Sequence, residues 1–279
     1  MKHFKFGENW KSFSKLIDKE RLNHSISSLK KLTNKKNLNN LSFLDIGCGS
    51  GLSSLAAIKL NCSELYAIDR DEQSVETTKI ILKNYKKKKI KIEKLSVFDL
   101  SERKKFDIVF SWGVLHHTGN MLKAIEKSTR MVSKNGLLIF SLYKKTYLCN
   151  FWKIEKFIYK SSPLMFQKFI KFLFISIFSL GLLLTKRSLL EYKHNYKKQR
   201  GMNFLHDVHD WLGGYPYESI TTEETIKKLK SYNFKLVKCY EARKKIGFLG
   251  TGCDEYVFVR NQKNRTALTN GKRFRYFYR

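Results

Sequence analysis

At 279 residues and 42% hydrophobic content, the chain is long enough to bury a sizeable core, as one large α/β domain or as a core carrying an inserted cap. Its 55 lysines and arginines against 24 acids leave a net charge of +31, which points to phosphate-bearing partners or an anionic membrane surface. Lysine far outnumbers arginine and runs such as Lys86–Lys89 read as composition, so specific nucleic-acid recognition, which favours the arginine fork, is disfavoured.

In chain order, residues 1–40 read as a helical segment. The start, Met1-Lys2-His3-Phe4-Lys5-Phe6-Gly7, lacks the apolar run of a secretory signal. An aromatic and polar stretch, Phe6–Ser14, precedes Leu16, Ile17, Leu22, Ile26, Leu29 and Leu32 at helical spacing. Trp10 and Phe13 fit two roles: a lid on a bound ligand, or packing of the N-terminal helix.

Residues 41–143 form the expected core. Leu44-Asp45-Ile46-Gly47-Cys48-Gly49-Ser50-Gly51 joins an apolar run to the helix-like Leu52–Ile58, so it reads as strand, tight turn and helix. Glycines at alternate positions let backbone N–H groups approach a ligand at the positive end of that helix. Glu64–Asp69 is a short strand ending in an acid, and Asp71–Val75 opens a helix. Ile90–Leu95 leads to Phe98 and a second strand-end acid, Asp99. Phe106–Gly113 is a buried-type strand opening into Val114-Leu115-His116-His117. A helix over Met121–Val132 is predicted, capped at Gly136, before a fifth strand at Leu137–Tyr143. This alternation predicts a parallel, doubly wound sheet.

Residues 144–221 break the alternation and read as a largely helical cap inserted between the fifth and sixth strands. Its apolar run, Phe172–Leu184, is about 13 residues and short for a bilayer span. It reads first as a buried cap helix and second as a helix facing membrane or lipid, because Lys171, Lys186 and Arg187 flank it. Residues 222–260 return to the core with a helix and two strands, Lys235–Glu241 and Glu255–Arg260. Residues 261–279 are a basic, aromatic tail expected to fray.

The loop spacing discriminates between nucleotide cofactors. Dinucleotide loops carry Gly-x-Gly-x-x-Gly, whereas this loop is Gly47-x-Gly49-x-Gly51 with Asp45 two residues upstream, where it can order the loop or meet an ammonium group. Asp69 is placed for ribose hydroxyls; Arg70 beside it is placed instead for a ribose phosphate. The stretches Leu44–Gly51, Asp69, Asp99 and Phe110-Ser111-Trp112-Gly113-Val114-Leu115-His116-His117 together resemble the class I S-adenosylmethionine-dependent methyltransferases. The resemblance implies a Rossmann-like seven-stranded sheet with S-adenosyl-L-methionine as cofactor. It assigns the methionine end to Asp45, Gly47 and Gly49, the ribose to Asp69, the adenine to Phe98 and Asp99, and the lining near the sulfonium to Ser111 and Trp112. Cys48 and Arg70 complete the cofactor set.

The Leu115-His116-His117 stretch narrows the likeness to ubiquinone-biosynthesis O-methyltransferases. Arg200-Gly201-Met202 with His206–Glu218 resembles a bacterial methyltransferase subgroup. For a hydroxyl acceptor the protein must align the acceptor and help remove its proton, a role that suits histidine near neutral pH. His117 is the first candidate base, and His116 is read as support for the loop. His206 and His209 are alternative bases, Asp210 an orienting or acceptor-facing carboxylate, and Tyr215 and Tyr217 candidates for the acceptor pocket. These cap residues also suit a polar helix that satisfies its own hydrogen bonds.

Cys48, Cys62, Cys149, Cys239 and Cys253 are odd in number with no Cys-x-x-Cys pair, so neither a disulfide framework nor a zinc site is expected. The fourth strand lacks the Asn/Asp-Pro-Pro-Tyr/Phe pattern of many nitrogen methyltransferases. The expectation is a cytoplasmic enzyme, peripheral at most on the inner membrane face, that O-methylates a small molecule, including lipid-linked or quinone-like acceptors. The competing readings are a membrane-tethered, non-catalytic binding protein on the same fold and an RNA 2′-O-methyltransferase.

Overall fold

The computed structural model describes residues 4–85, 89–242, 252–261 and 277–278. Lys86–Lys88 of the lysine run, and residues 262–276 and 279 of the tail predicted to fray, lie outside the described residues.

The chain builds one mixed sheet in the order β3-β2-β1-β4-β5-β7-β6-β8. The strands are β1 (Ser42–Ile46), β2 (Glu64–Asp69), β3 (Lys89–Lys94), β4 (Phe106–Trp112), β5 (Val132–Tyr143), β6 (Phe234–Glu241), β7 (Cys253–Arg260) and the two-residue β8 (Phe277–Tyr278). The first five pair in parallel, as the βα alternation predicts. The uniformly parallel reading does not extend to β7, which runs antiparallel to both β5 and β6. No helix separates β6 from β7 among the described residues, and without a crossover helix consecutive strands return antiparallel. Beyond the seven strands implied by the resemblance, β8 adds a short parallel edge to β6.

The sheet is covered on both sides. Helices α2 (Lys19–Thr33) and α3 (Leu52–Lys59) bring Leu29, Leu32, Leu55 and Ile58 onto Phe43, Leu65 and Ile108, accompanied by Leu82 of α4 (Glu72–Leu82). On the other face α5 (Met121–Arg130) and α10 (Thr222–Ser231) enclose Leu44, Val109, Phe140, Tyr256 and Phe258. Helix α5 ends at Arg130 rather than running on to a cap at Gly136. Val132 is already paired with Phe106, and Gly136 sits where a Cβ would lie 3.0 Å from the Asp107 carbonyl. That close approach, not a helix terminus, explains the glycine.

Four helices form the cap between β5 and β6: α6 (Cys149–Ser161), α7 (Leu164–Leu184), α8 (Leu189–Arg200) and α9 (Phe204–Gly213). Helix α6 is tied to α9 by the fully buried Lys156, whose ammonium donates to the Trp211 carbonyl and lies 3.9 Å from the Trp211 ring centroid. The cap returns to the core through Glu218. Its N–H donates to the His116 carbonyl at 3.0 Å, and its carboxylate accepts the Met121 N–H at 2.8 Å.

Helix α7 corrects the preferred reading of the apolar run. It is 21 residues long, not 13, and Leu182 is its one buried side chain. Ile170, Phe174, Ile175 and Phe178 are half-buried against the cap cluster, whereas Phe172, Leu183 and Leu184 are 68%, 66% and 79% exposed. The run begins well before Phe172 because Lys168 and Lys171 interrupt the apolar pattern without interrupting the helix; the long lysine stem is a good helix former.

The core and α7 should therefore respond differently to truncation. Phe140→Ala in β5 is expected to cost about 3–5 kcal/mol, and Leu173→Ala on the outer face of α7 within about 0.5 kcal/mol, both read as shifts in urea unfolding at constant m-value. A large loss at Leu173 would contradict its exposed placement.

Candidate active site

The parallel strands end together at one edge of the sheet, and the residues singled out from β1, β2 and β4 meet there. The loop after β1 turns through three left-handed glycines, Gly47 (φ +77°), Gly49 (φ +54°) and Gly51 (φ +77°). At Gly47 a Cβ would stand 2.3 Å from the Val114 side chain, so the β4 loop closes directly on this backbone. Gly47 and Cys48 donate their N–H groups to the Ile68 carbonyl at 2.8 and 3.0 Å, anchoring the loop to the end of β2.

Two carboxylates shape the loop. Asp45 is buried and accepts a hydrogen bond from Ser54 Oγ at 2.6 Å, which fastens β1 to α3. Burial, only partly offset by that bond, pushes its pKa up from 3.8 to about 7, with nearby Asp69 adding to the rise. Asp69 accepts from the N–H groups of Gly49 at 3.0 Å and Asp71 at 2.9 Å, and burial raises its pKa to about 6. Neither acid is in an ion pair among the described residues. Such a pair of acceptors fits a ligand that brings its own cation and hydroxyl donors, as the methionine ammonium and ribose of S-adenosylmethionine do.

The remaining cofactor candidates occupy the same edge. Asp99 is exposed in a short 3₁₀ turn over Val97–Asp99, and Phe98 beside it lies under Lys123 Nζ at 5.7 Å. Arg70 is exposed at the end of β2. Cys48 is buried, its thiol accepting from Thr78 Oγ1 at 3.3 Å, and burial pushes its pKa up. Ser111 is buried, with its hydroxyl on the Ile46 carbonyl at 3.1 Å, so it ties β4 to β1. Trp112 stacks on Phe110 with ring centroids 5.6 Å apart and remains partly exposed.

Helix α1 (Phe6–Ser14) spans both the loop and the histidines. Trp10 lies across Gly49, where a Cβ would sit 3.4 Å from the indole; Gly7 N–H donates to Asp71 at 3.3 Å; and the Phe6 ring lies 5.1 Å from that of His117. Trp10 thus packs on the glycine loop, while Phe13 is wholly buried.

His117 Nδ1 is 2.7 Å from the Pro216 carbonyl. A carbonyl only accepts, so Nδ1 carries the proton and Nε2 is the basic nitrogen of the neutral ring. Gly214 lies against that edge of the ring, where a Cβ would stand 2.6 Å from Cε1 and 3.1 Å from Nε2. His116 is fully buried against Tyr143, with ring centroids 4.1 Å apart, and burial drives its pKa well down.

In α9, His206 and Asp210 lie on one helical face, and both turn toward α1. His206 contacts Asn203 Oδ1 at 3.0 Å through Nδ1 and Ser12 Oγ at 3.1 Å through Nε2. Asp210 is half-buried and accepts from Asn9 Nδ2 at 2.7 Å, and burial raises its pKa well above the usual carboxylate value. His209 pairs through Nδ1 with the Tyr159 hydroxyl at 2.8 Å, and burial followed by Lys171 lowers its pKa to about 4. Tyr215 and Tyr217 are buried, Tyr217 with its ring 5.0 Å from Tyr143 and its hydroxyl on Cys149 Sγ at 3.4 Å. Among the described residues no group of three or more His, Cys, Asp or Glu side chains converges as a metal site. Sequence reasoning missed Ser54, Asn9 and the Pro216 carbonyl: Asn9 and Pro216 act on residues 201 and 99 positions away, and Ser54, nine positions from Asp45, sits in no recognisable local pattern.

The raised Asp45 pKa sets a sign for pH dependence. The folded carboxyl keeps its proton to about pH 7, whereas the unfolded one releases it near 3.8, so its contribution to stability falls as pH rises from about 4 to about 7. Wild-type protein should therefore lose stability relative to Asp45→Asn across that window in paired denaturant titrations. A constant difference would show that the carboxyl is ionised throughout.

A family model described as a methyltransferase domain matches residues 12–198, well over half of the chain. The ubiquinone biosynthesis O-methyltransferase of Pelagibacter ubique is 32% identical over 123 residues, 43% of this chain and 50% of that protein. The ribosomal protein L11 methyltransferase of Fusobacterium nucleatum is 34% identical over 118 residues, 41% of this chain and 36% of that protein. The chain thus spans half or less of the length of these curated relatives. Among solved structures, the magnesium protoporphyrin IX methyltransferase of Synechocystis PCC 6803, determined with S-adenosylhomocysteine bound, superposes with a TM-score of 0.51 at 16% identity, covering 87% of this chain and 84% of that one. The chain belongs to the methyltransferase-domain family, and its core is a class I S-adenosylmethionine-dependent methyltransferase domain.

Proposed function

We propose that this chain methylates a hydroxyl of a small, largely apolar acceptor, with His117 as the base. The observation that carries the reading is the His117 imidazole at the C-terminal end of β4, its Nδ1 proton held by the Pro216 carbonyl so that Nε2 takes up protons. When bound, S-adenosylmethionine supplies an electrophilic methyl group. The chain's own part is to hold the loop in shape through Asp45 and Asp69, to align the acceptor, and to accept its proton at Nε2.

The acceptor wall is aromatic. Phe6, Tyr143, Tyr215 and Tyr217 lie around His116, His117 and Gly214, which favours a ring or an apolar chain over a sugar. His117 is preferred to His206 and His209 because it follows β4 at the strand edge that carries the glycine loop, whereas His206 faces Asn203 and Ser12 and His209 is turned to Tyr159 on the cap side. The name of the Pelagibacter ubique relative, an O-methyltransferase of ubiquinone biosynthesis, supports the same class of acceptor.

Protein incubated with methyl-labelled S-adenosylmethionine and a host lysate should place label in the small-molecule or lipid fraction; label in RNA or protein instead would overturn the acceptor class. His117→Ala is expected to lower kcat by about 10²–10⁴-fold while cofactor affinity by isothermal titration stays unchanged, and undiminished turnover would remove His117 from the role. Asp69→Ala should weaken cofactor binding by about 10–100-fold, the worth of a hydrogen bond to a charged group.

A further inference from the structure

We infer that the outer face of α6 and α7 seats on an anionic phospholipid leaflet, with α7 lying in the plane of the interface. Along α7, Met165, Phe169, the adjacent pair Phe172 and Leu173, Ile177 and Leu180 fall on one side of the helix and are all exposed. The stripe on α6, Phe151, Ile154, Phe157 and Ile158, is also exposed and joins it through Ser162 and Pro163. Monomeric soluble proteins rarely expose contiguous apolar patches larger than roughly a few hundred Å². A stripe of this length is placed in water only at a cost that a lipid surface removes.

Charge selects the occupant. Between Cys149 and Leu190 the chain carries, besides the buried Lys156, the cations Lys153, Lys160, Lys168, Lys171, Lys186 and Arg187 against a single acid, Glu155. Glu155 is half-buried beside the buried Lys156 and contributes little at the surface. Exposed lysines beside an exposed apolar stripe match an acyl layer bordered by anionic headgroups. An acidic protein partner offers the charge without the apolar layer.

The packing of α7 gives its orientation. Its 21 residues, about 32 Å at 1.5 Å per residue, are long and apolar enough to cross a bilayer. Yet the inner face is committed to the cap. Phe174 meets Trp211 with ring centroids 5.3 Å apart, and Phe178 meets Phe204 and Tyr192 at 5.5 and 5.0 Å. Crossing would strip those contacts and carry Lys168 and Lys171 into hydrocarbon, whereas lying flat keeps both. The face also leads toward the site, since the exposed Phe157 ring lies 5.4 Å from Tyr215, next to the Gly214 that lines His117. On the acceptor class proposed above, a lipid-soluble acceptor would reach His117 from the membrane without passing through water.

The test is flotation of the full chain with vesicles of phosphatidylcholine containing phosphatidylglycerol and with vesicles of phosphatidylcholine alone. Binding is expected to the first, weakened by salt, and to fall at least about tenfold on the second. Phe169→Ser with Phe172→Ser and Leu180→Ser should abolish it, and Lys168→Glu with Lys186→Glu should reduce it by roughly fivefold or more per lysine. Both variants should bind S-adenosylmethionine as the wild type does, which shows that they fold. Failure of the wild type to float, equal flotation of the serine variant, or a wild-type dimer that the serine variant dissolves in sedimentation would each overturn the proposal, the last by showing that a second copy covers the face. Flotation is read without cofactor turnover, so its failure leaves the methyl-transfer reading standing.

Discussion

Two acids held at the ends of adjacent parallel strands are the constraint on which the site depends. Asp45 and Asp69 are taken out of water at the point where β1 and β2 stop, and the hydrogen-bond donors that compensate them come from the loop and helix that must be ordered there: Ser54 for one, the Gly49 and Asp71 N–H groups for the other. A buried carboxylate without such partners would cost several kcal/mol, so the loop has little freedom to adopt another shape. The left-handed turns at Gly47 and Gly49 follow from the same closeness, since Val114 and Trp10 occupy the volume that a side chain would need. Both acids retain proton affinity well above that of an ordinary carboxylate. A cationic ligand that takes that proton's place gains more here than it would at the surface.

The cap and the N-terminal helix complete what the sheet begins. Asn9 and Ser12 join α1 to α9, Phe6 joins it to His117 and Trp10 to the glycine loop, so one short helix bears on the cap, the turn after β4 and the loop after β1. The polar residues of α9 serve first as the partners of that contact. His206 and Asp210 are the cap's half of its junction with α1, and burial there lowers the pKa of His206 and raises that of Asp210, disfavouring the charged form of each. His117 stands apart from them, in the turn that follows β4, with its tautomer set by a cap carbonyl.

How much of this could be read from residues alone follows from how local each feature is. The glycine spacing, the acid two residues before it, the acids closing the second and third strand units, and the βα alternation are all contained within windows of a few residues to about thirty, and all reappear at one edge of the sheet. The antiparallel β7 was not legible, because strand direction depends on what connects two strands. Helix α7 was misread for a related reason. An apolar run has the same composition whether it faces a core, a lipid or a partner, and its face is known only once α8 and α9 have taken up positions beside it.

Residue by residue, the chain specifies the backbone it needs: where it must turn left-handed, where helices start, and which acids close which strands. It thereby specifies a methyltransferase-type cofactor edge, because those features arise from steric and hydrogen-bonding preferences between near neighbours. Which histidine keeps a basic nitrogen, which polar residues are consumed in holding α1 to the cap, and which side of α7 stays bare are settled by contacts between segments up to about two hundred positions apart, such as Asn9 with Asp210. Such contacts exist only in the assembled fold, where burial and the pairing of the last available donors and acceptors decide each of them.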